Sequence, residues 1–461
     1  MVDVNNPYTG KLIEQVKIST ADDVEQALAR AHALFEDRSA WLPAYQRIEI
    51  LERAAQIMSD RIEELTILAA SEGGKPYVDS KVEVLRAING LKLAIEHIPQ
   101  IKGEEIPMGH TESSANRLAF TQREPIGVVA SVSAFNHPLN LIVHQCVPAI
   151  AVGAPVIIKP AKTTPLSCMK FVSILSEAGL PDGWCQAFVL GNQEAENLVT
   201  DERVNFFSFI GSGGVGWMLR SKLSPGTRCA LEHGGAAPVI VDQSASMEPL
   251  IDSLLKGGFY HAGQVCVSVQ RVFVHESACV ELAEKLAEKA KQLKVGDPVD
   301  PETEVGPLIT PKEVDRVASW VQEASEGGAK VLCGGEKISD TCYAPTVLLN
   351  PDDQATVSQK EIFGPVVCVY SYTDKSDAIA RANAVPYAFQ ASIYSNDLTD
   401  VLDTSNKLNA TAVMVNDHTA FRVDWMPFGG RDASGLGMGG IQYSMHEMTR
   451  EKMLVIKSDV L

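Results

Sequence analysis

From residue 126 onward, short apolar runs alternate with stretches of helical character, and nothing else in the chain restricts its fold as tightly. The runs 126–132, 155–159, 206–210 and 238–241 are of strand length and almost wholly apolar. A strand with one face in water alternates polar and apolar side chains, so unrelieved apolar runs belong to strands covered on both faces. Between them, 138–150 reads as a helix, and a second helix runs from about Pro165 to a stop at Gly179-Leu180-Pro181. Such repetition predicts an α/β fold built on a parallel sheet with helices on each side. A second α/β stretch follows over 235–435, with a strand at 269–274 and helices over 278–293 and 311–326. At 461 residues the chain is too long for one hydrophobic core, so two or three domains are expected.

The first hundred residues read as helical. Thr20 stands three residues before Asp23 in a capping arrangement, and Val24, Ala27, Leu28, Ala31, Leu34 and Phe35 then form one helical stripe. A second amphipathic pattern carries Ile48, Leu51, Ile57, Ile62, Leu65 and Leu68 and ends at Gly73-Gly74. Residues 105–124 are polar without helical period and are expected to form a hairpin or an excursion. The apolar run 453–456 reads as a strand with no partner nearby in sequence, an edge expected to pair with another subunit.

A formal charge of −18 argues against nucleic acid or an anionic membrane as the main partner. No apolar run is long enough to span a bilayer, and the N-terminus lacks the basic flank and apolar core of a signal peptide. The nine cysteines are scattered, with no CxxC and no zinc-ligand spacing, which reads as free thiols in a reducing cytoplasm.

Several short features carry chemistry. Gly211-x-Gly213-x-x-Gly216 after an apolar strand matches a dinucleotide fingerprint, in which glycines admit a pyrophosphate to a helix N-terminus. An acidic ribose ligand is expected about 20 positions further on. Both Glu232 and Asp242 lie near that window, and the pattern alone leaves the choice open. Lys159 and Lys162 stand at the C-terminal end of a predicted strand, where open parallel sheets bind ligands. Asn136 ends another strand, in place to donate a hydrogen bond or cap a turn. Cys266, in Gly263-Gln264-Val265-Cys266, reads in isolation as a small buried hydrophobe, and Glu232 as a surface acid.

Taken together, these fragments resemble the aldehyde dehydrogenase superfamily over nearly the whole chain. The resemblance begins at Asn6-Pro7-Tyr8-Thr9-Gly10 and passes through Glu124-Pro-Ile-Gly-Val-Val129, Phe135-Asn136-His137-Pro138 and Lys159-Pro-Ala161. It continues with Phe209-Ile-Gly-Ser212, Glu232-His-Gly-Gly235 and Gly263-Gln-Val-Cys266, and closes with Glu361-Ile-Phe-Gly-Pro365 and Pro427-Phe-Gly-Gly430. It implies a Rossmann-like cofactor domain over 1–104 and 126–232, and an α/β catalytic domain over 233–435. A small β oligomerisation element would combine 105–125 with 436–461 in a homodimer or homotetramer.

By the same resemblance, Cys266 is the nucleophile that forms a thiohemiacetal and then a thioester. Asn136 and the Cys266 backbone N–H form the oxyanion hole, and Glu232 is the base that activates water. Lys159 matches the adenosine-ribose ligand, Gly211, Ser212 and Gly216 the pyrophosphate end, and Glu361 with Phe363 the nicotinamide side. Many NAD-preferring members carry Glu three residues after the matching lysine. Lys162 stands there in this chain and would attract the 2′-phosphate of NADP, so NADP use is expected, with NAD as the alternative. Glu232 implies hydrolysis to the free acid, because the CoA-acylating branch tends to lack that carboxylate. His137 replaces the common aromatic, and with Arg422 it is expected to bind an anionic tail, as in semialdehydes or phosphono-aldehydes. The competing reading of Arg422 is a structural ion pair near Asp424. A cofactor-free thiol hydrolase would use Cys266 and Glu232 but leave Lys159, Glu361 and Phe363 without purpose.

Overall fold

The computed structural model describes residues 1–461 and contains two large, mostly parallel sheets, one three-stranded antiparallel sheet and two two-stranded antiparallel sheets. The first sheet has six strands, in the order Gly435–Leu436, Arg228–Glu232, Val204–Ile210, Val128–Val132, Val156–Lys159 and Cys185–Ala187. All its pairings are parallel except that of Gly435–Leu436. Its apolar strands feed two cores. Val129, Val156, Ile158 and Phe206 pack into one hydrophobic cluster, while Val128, Ala130, Ile157 and Phe207 pack into another on the opposite face. Burial on both faces is what the continuous apolar runs require.

The second sheet orders Lys330–Cys333, Thr346–Leu349, Val366–Tyr372, Val269–His275, Ala237–Val241, Gln390–Tyr394 and Ala412–Val415. Only Lys330–Cys333 is antiparallel to its neighbour. Its core is a single cluster of 44 buried residues. The helices Glu276–Ala290 and Pro311–Glu326 lie where their apolar periods predict.

Three expectations are corrected. The N-terminus is not helical from its start: Val2–Asn5 and Leu12–Val16 form a hairpin whose turn is closed by Asn6 Oδ1, which accepts from the Tyr8 and Thr9 N–H groups. The expected capping box is present at Thr20, but the second helical pattern breaks at Arg61 into Ala44–Asp60 and Ile62–Gly73. The C-terminal strand Thr449–Lys457 has its partner within the same chain, pairing antiparallel with Arg117–Pro125 across its full length. In addition, not all of 436–461 stands apart: Gly435–Leu436 extends the first sheet, and Ile441, Met445 and Met448 enter its core.

Candidate functional site

Four strands of the first sheet end at one cavity. Its lining includes Ser133 and Asn136 after Val128–Val132, Lys159 and Lys162 after Val156–Lys159, Gly211 and Ser212 after Val204–Ile210, and Glu232 closing Arg228–Glu232. The opposite wall comes from segments that lead into strands of the second sheet: Val265, Cys266 and Val267 before Val269–His275, and Glu361 and Phe363 before Val366–Tyr372. The cavity is about 630 Å³. The crevice beyond the carboxyl ends of a parallel sheet is where this architecture binds ligands.

The loop bearing Cys266 is held in an unusual backbone state. His261, Ala262 and Gly263 lie in succession at φ of 49°, 54° and 70°. Left-handed non-glycine residues cost about 1–3 kcal/mol each and persist only where surrounding contacts enforce them. Gln264 supplies that enforcement: its Nε2 donates to His261 O and Pro307 O, and its Oε1 accepts from Ile309 N–H at 3.0 Å. Gly263 is obligatory on a second count, because a Cβ there would collide with Gly364 O. Thus the Gly-Gln pair before the cysteine builds the turn that presents it.

Asn136 Nδ2 donates to Gln264 O at 2.9 Å, tying the end of the first sheet to the cysteine loop. Beneath it, the fully buried Lys75 pairs with Glu83 and donates to Asn136 O at 3.4 Å. The Oε1 of Glu83 accepts from the Leu139 and Asn140 N–H groups, both at 2.9 Å. One buried ion pair therefore fixes the Asn136 loop to the start of the helix Asn140–Val152. The Cys266 N–H has no carbonyl partner and favours the ionised form of its own sulfur.

The titratable groups here are strongly shifted. Burial pushes the Glu232 carboxyl up to about 7, opposed by the positive charge of Arg422. A side chain at 439 would strike Glu232 Oε1, so Gly439 leaves room for the carboxylate. Burial pushes the Cys266 thiol up to about 12, reinforced by Glu361 and Glu232 and opposed by Arg422. At rest, then, the sulfur holds its proton, and a base must take it as attack proceeds. Glu361 is pushed up to about 8 by burial despite the Gly235 N–H it accepts at 3.2 Å.

At the far end, Lys159 and Lys162 have no carboxylate partner. Burial, then the charge of Lys162, lowers the Lys159 ammonium to about 8. Ser212 precedes the helix Gly213–Arg220 without capping it, and a Cβ on Gly214 would meet only open space. Two unpaired cations beside an open helix N-terminus fit a phosphate-bearing dinucleotide. Gly216 belongs to packing: a Cβ there would collide with the His233 ring.

The wall beside Glu232 differs from expectation in one respect. His137 lines the cavity, but burial and the nearby charges of Lys75, His261, Arg86 and Arg422 hold it well below the usual imidazole range. Its Nε2 meets Tyr260 OH at 3.1 Å, so it acts as a neutral hydrogen-bonding group and not as a cation. Arg422 also lines the cavity, its guanidinium 3.5 Å from the Phe428 ring centre. It forms no ion pair. Asp424 instead binds Arg86 in a two-pronged contact and His144 Nε2 at 2.8 Å. The Arg86, His144 and Gln264 contributions went unread in the sequence. His144 lies seven residues after His137 on a predicted helix, which is the one periodic hint available.

These features can be set beside known proteins. The aldehyde dehydrogenase family model matches residues 1–454. The chain is 38% identical to a 3-sulfolactaldehyde dehydrogenase of Priestia megaterium, covering 99% of this chain and 94% of that protein. The crystal structure of aldehyde dehydrogenase 21 from Physcomitrella patens, in complex with its reaction product succinate, superposes with a TM-score of 0.95. Its identity is 35%, over 99% of this chain and 95% of the other. A glyceraldehyde-3-phosphate dehydrogenase from Methanocaldococcus jannaschii, complexed with NADP, gives a TM-score of 0.94 and 34% identity over 99% of both chains. A cavity that joins a thiol, a buried carboxyl and an unpaired lysine couple at the ends of a parallel sheet is thus accounted for: the chain belongs to the aldehyde dehydrogenase family.

Proposed function

We propose that this enzyme oxidises an aldehyde bearing an anionic group to its carboxylic acid, with NADP as the preferred cofactor. The observation that carries the substrate reading is Arg422, a half-buried cation without a carboxylate partner in the cavity that holds Cys266 and Glu232. Apart from His144 Nδ1 at 3.4 Å its guanidinium has no side-chain hydrogen-bond partner, and a cation in a cavity without a carboxylate beside it is a receptor for an opposite charge. The relatives named for sulfolactaldehyde and glyceraldehyde-3-phosphate, and the one holding succinate, support the same class.

In this reading the Cys266 sulfur forms a bond to the aldehyde carbon while its proton passes to water in the cavity and on to solvent. The carbonyl oxygen becomes an alkoxide held by Asn136 Nδ2 and the Cys266 N–H. When bound, NADP supplies the acceptor for the hydride that leaves this carbon. Glu232 then takes a proton from the water that attacks the Cys266 thioester and returns it to the departing sulfur, so the thiol is restored as the acid is released. Lys159 and Lys162 would hold the phosphate-bearing adenosine end, and Glu361 with Phe363 the opposite end.

The test is a panel of succinic semialdehyde, a phosphonated aldehyde and hexanal, each with NADP and NAD. The anionic members with NADP are expected to give the highest kcat/KM. Arg422→Leu is expected to lower kcat/KM for them about 10- to 100-fold, the size of a lost charge-assisted hydrogen bond, and to spare hexanal. It should also move the acid limb of the pH profile upward, since the cation opposing the high pKa of Glu232 is gone. A clear preference for hexanal would remove the anionic reading, and a large preference for NAD the cofactor reading.

We also read the antiparallel sheet as a contact between subunits. Met453, Leu454, Val455 and Ile456 are exposed on a strand with one free edge, an arrangement that stable proteins cover. Sedimentation is expected to return twice or four times 49.8 kDa, whereas a species of 49.8 kDa at micromolar concentration would contradict it. No helix is long and apolar enough to cross a membrane.

A further inference from the structure

Arg422 is held on two sides. Its guanidinium stacks on the Phe428 ring at 3.5 Å, which fixes the plane of the group but leaves it free to turn within that plane. The Arg422 Nη2 then donates to His144 Nδ1 at 3.4 Å, a long hydrogen bond that removes this freedom. His144 stands on the helix Asn140–Val152 and is 6% exposed, so the imidazole is itself held by packing. Its other nitrogen, Nε2, meets Asp424 Oδ1 at 2.8 Å. Asp424 is clamped in turn by Arg86, through Nε at 3.1 Å and Nη2 at 2.7 Å.

These contacts settle where the imidazole proton lies. A carboxylate only accepts, so Nε2 carries the hydrogen; a guanidinium only donates, so Nδ1 presents its lone pair. A second proton on the ring would set Nδ1–H against the Arg422 N–H, donor to donor. Burial, then the charge of Arg422, pushes the imidazole down to about 4 against the pull of Asp424, in agreement with a neutral ring. That neutrality has a use. A carboxylate in place of Nδ1 would grip Arg422 harder but cancel the charge that a substrate anion needs. An apolar group would leave the guanidinium to be ordered anew in each binding event, which costs affinity. We propose that His144 is a positioning residue for the anion receptor: it orients Arg422 towards the anionic group of the substrate and leaves the charge of Arg422 uncompensated. Asp424 fixes the tautomer from behind the ring and forms no ion pair with Arg422. This inference rests on the Arg422 reading above.

The experiment replaces the two ring nitrogens one at a time. In His144→Asn the amide oxygen falls near the place of Nδ1 and accepts from Arg422, while Asp424 loses its partner on that side. In His144→Gln the amide reaches the place of Nε2 and serves Asp424, while Arg422 loses its partner. His144→Leu removes both contacts. The readout is the ratio of kcat/KM for succinic semialdehyde to that for hexanal, with NADP. It is expected to stay within about threefold of the parent in His144→Asn and to fall about tenfold in His144→Gln and His144→Leu, through the KM of the semialdehyde and not through kcat. A structural role through Asp424 alone predicts the opposite order, with His144→Gln spared and His144→Asn impaired. That order, an unchanged ratio in all variants, or equal losses on both aldehydes would overturn the proposal. Thermal midpoints identify a variant that fails to fold, and His144→Gln or His144→Leu against the parent then decides by the same ratio. Arg422→Leu separates this inference from the reading beneath it. A ratio that survives in Arg422→Leu refutes the anion receptor itself, whereas a ratio that falls there and survives in His144→Gln and His144→Leu refutes only the part given to His144.

Discussion

Replacing Cys266 by alanine is expected to abolish aldehyde-dependent reduction of the nicotinamide, by about 10⁴-fold or more, because no other group can form the covalent intermediate. The loss should be chemical and not structural. Cys266 lines the cavity instead of filling the core, and its loop is held by Gln264, whose three contacts do not involve the sulfur. Circular dichroism and the thermal midpoint are expected to stay near those of the parent. The remaining eight cysteines give no substitute, since none lines the cavity. Residual activity above one per cent of the parent (about 3 kcal/mol of the barrier) would mean that the nucleophile lies elsewhere.

The second large effect concerns Glu232. Substitution by glutamine retains the shape beside Gly439 and removes the base. Thioester hydrolysis is expected to slow about 10²- to 10⁴-fold, so that turnover falls while the first reduction of cofactor survives as a burst. The parent enzyme should show a matching pH dependence. Burial places the Glu232 pKa at about 7, so the carboxyl is protonated below that value and ionised above it. Hydrolysis therefore rises with pH through about 7 and levels off above. In Glu232→Gln that acid limb should disappear from the hydrolytic step. A variant that keeps both rate and pH profile would dismiss Glu232 as the base.

Much of this was legible before any coordinates. The strands of the first sheet are apolar on successive residues because Val128 and Val129, or Ile157 and Ile158, serve cores on opposite faces. The N-terminal hairpin escaped because its strands, Val2–Asn5 and Leu12–Val16, are short and largely exposed, leaving little apolar signal. The C-terminal strand was recognisable but its partner was not, since Arg117–Pro125 lies more than three hundred residues earlier. Cys266 and Glu232 looked ordinary singly, and only the order of motifs along the chain joined them. The Arg422 wall was half visible. Its ion-pair alternative failed because Asp424 is claimed by Arg86, 338 residues away in sequence, and by His144. Contacts of that range are products of tertiary packing and leave no local pattern.

The pairing of Cys266 and Glu232 in one covalent cycle is tested most directly by trapping. Glu232→Gln would be mixed with succinic semialdehyde and NADP, quenched within the burst, and its acid-stable peptides weighed. The result expected is one reduced cofactor per subunit, with a succinyl group on the Cys266 peptide that hydrolyses faster in the parent enzyme. Stoichiometric reduction with no acyl group on Cys266, or with the acyl group on another residue, would contradict the mechanism at its centre.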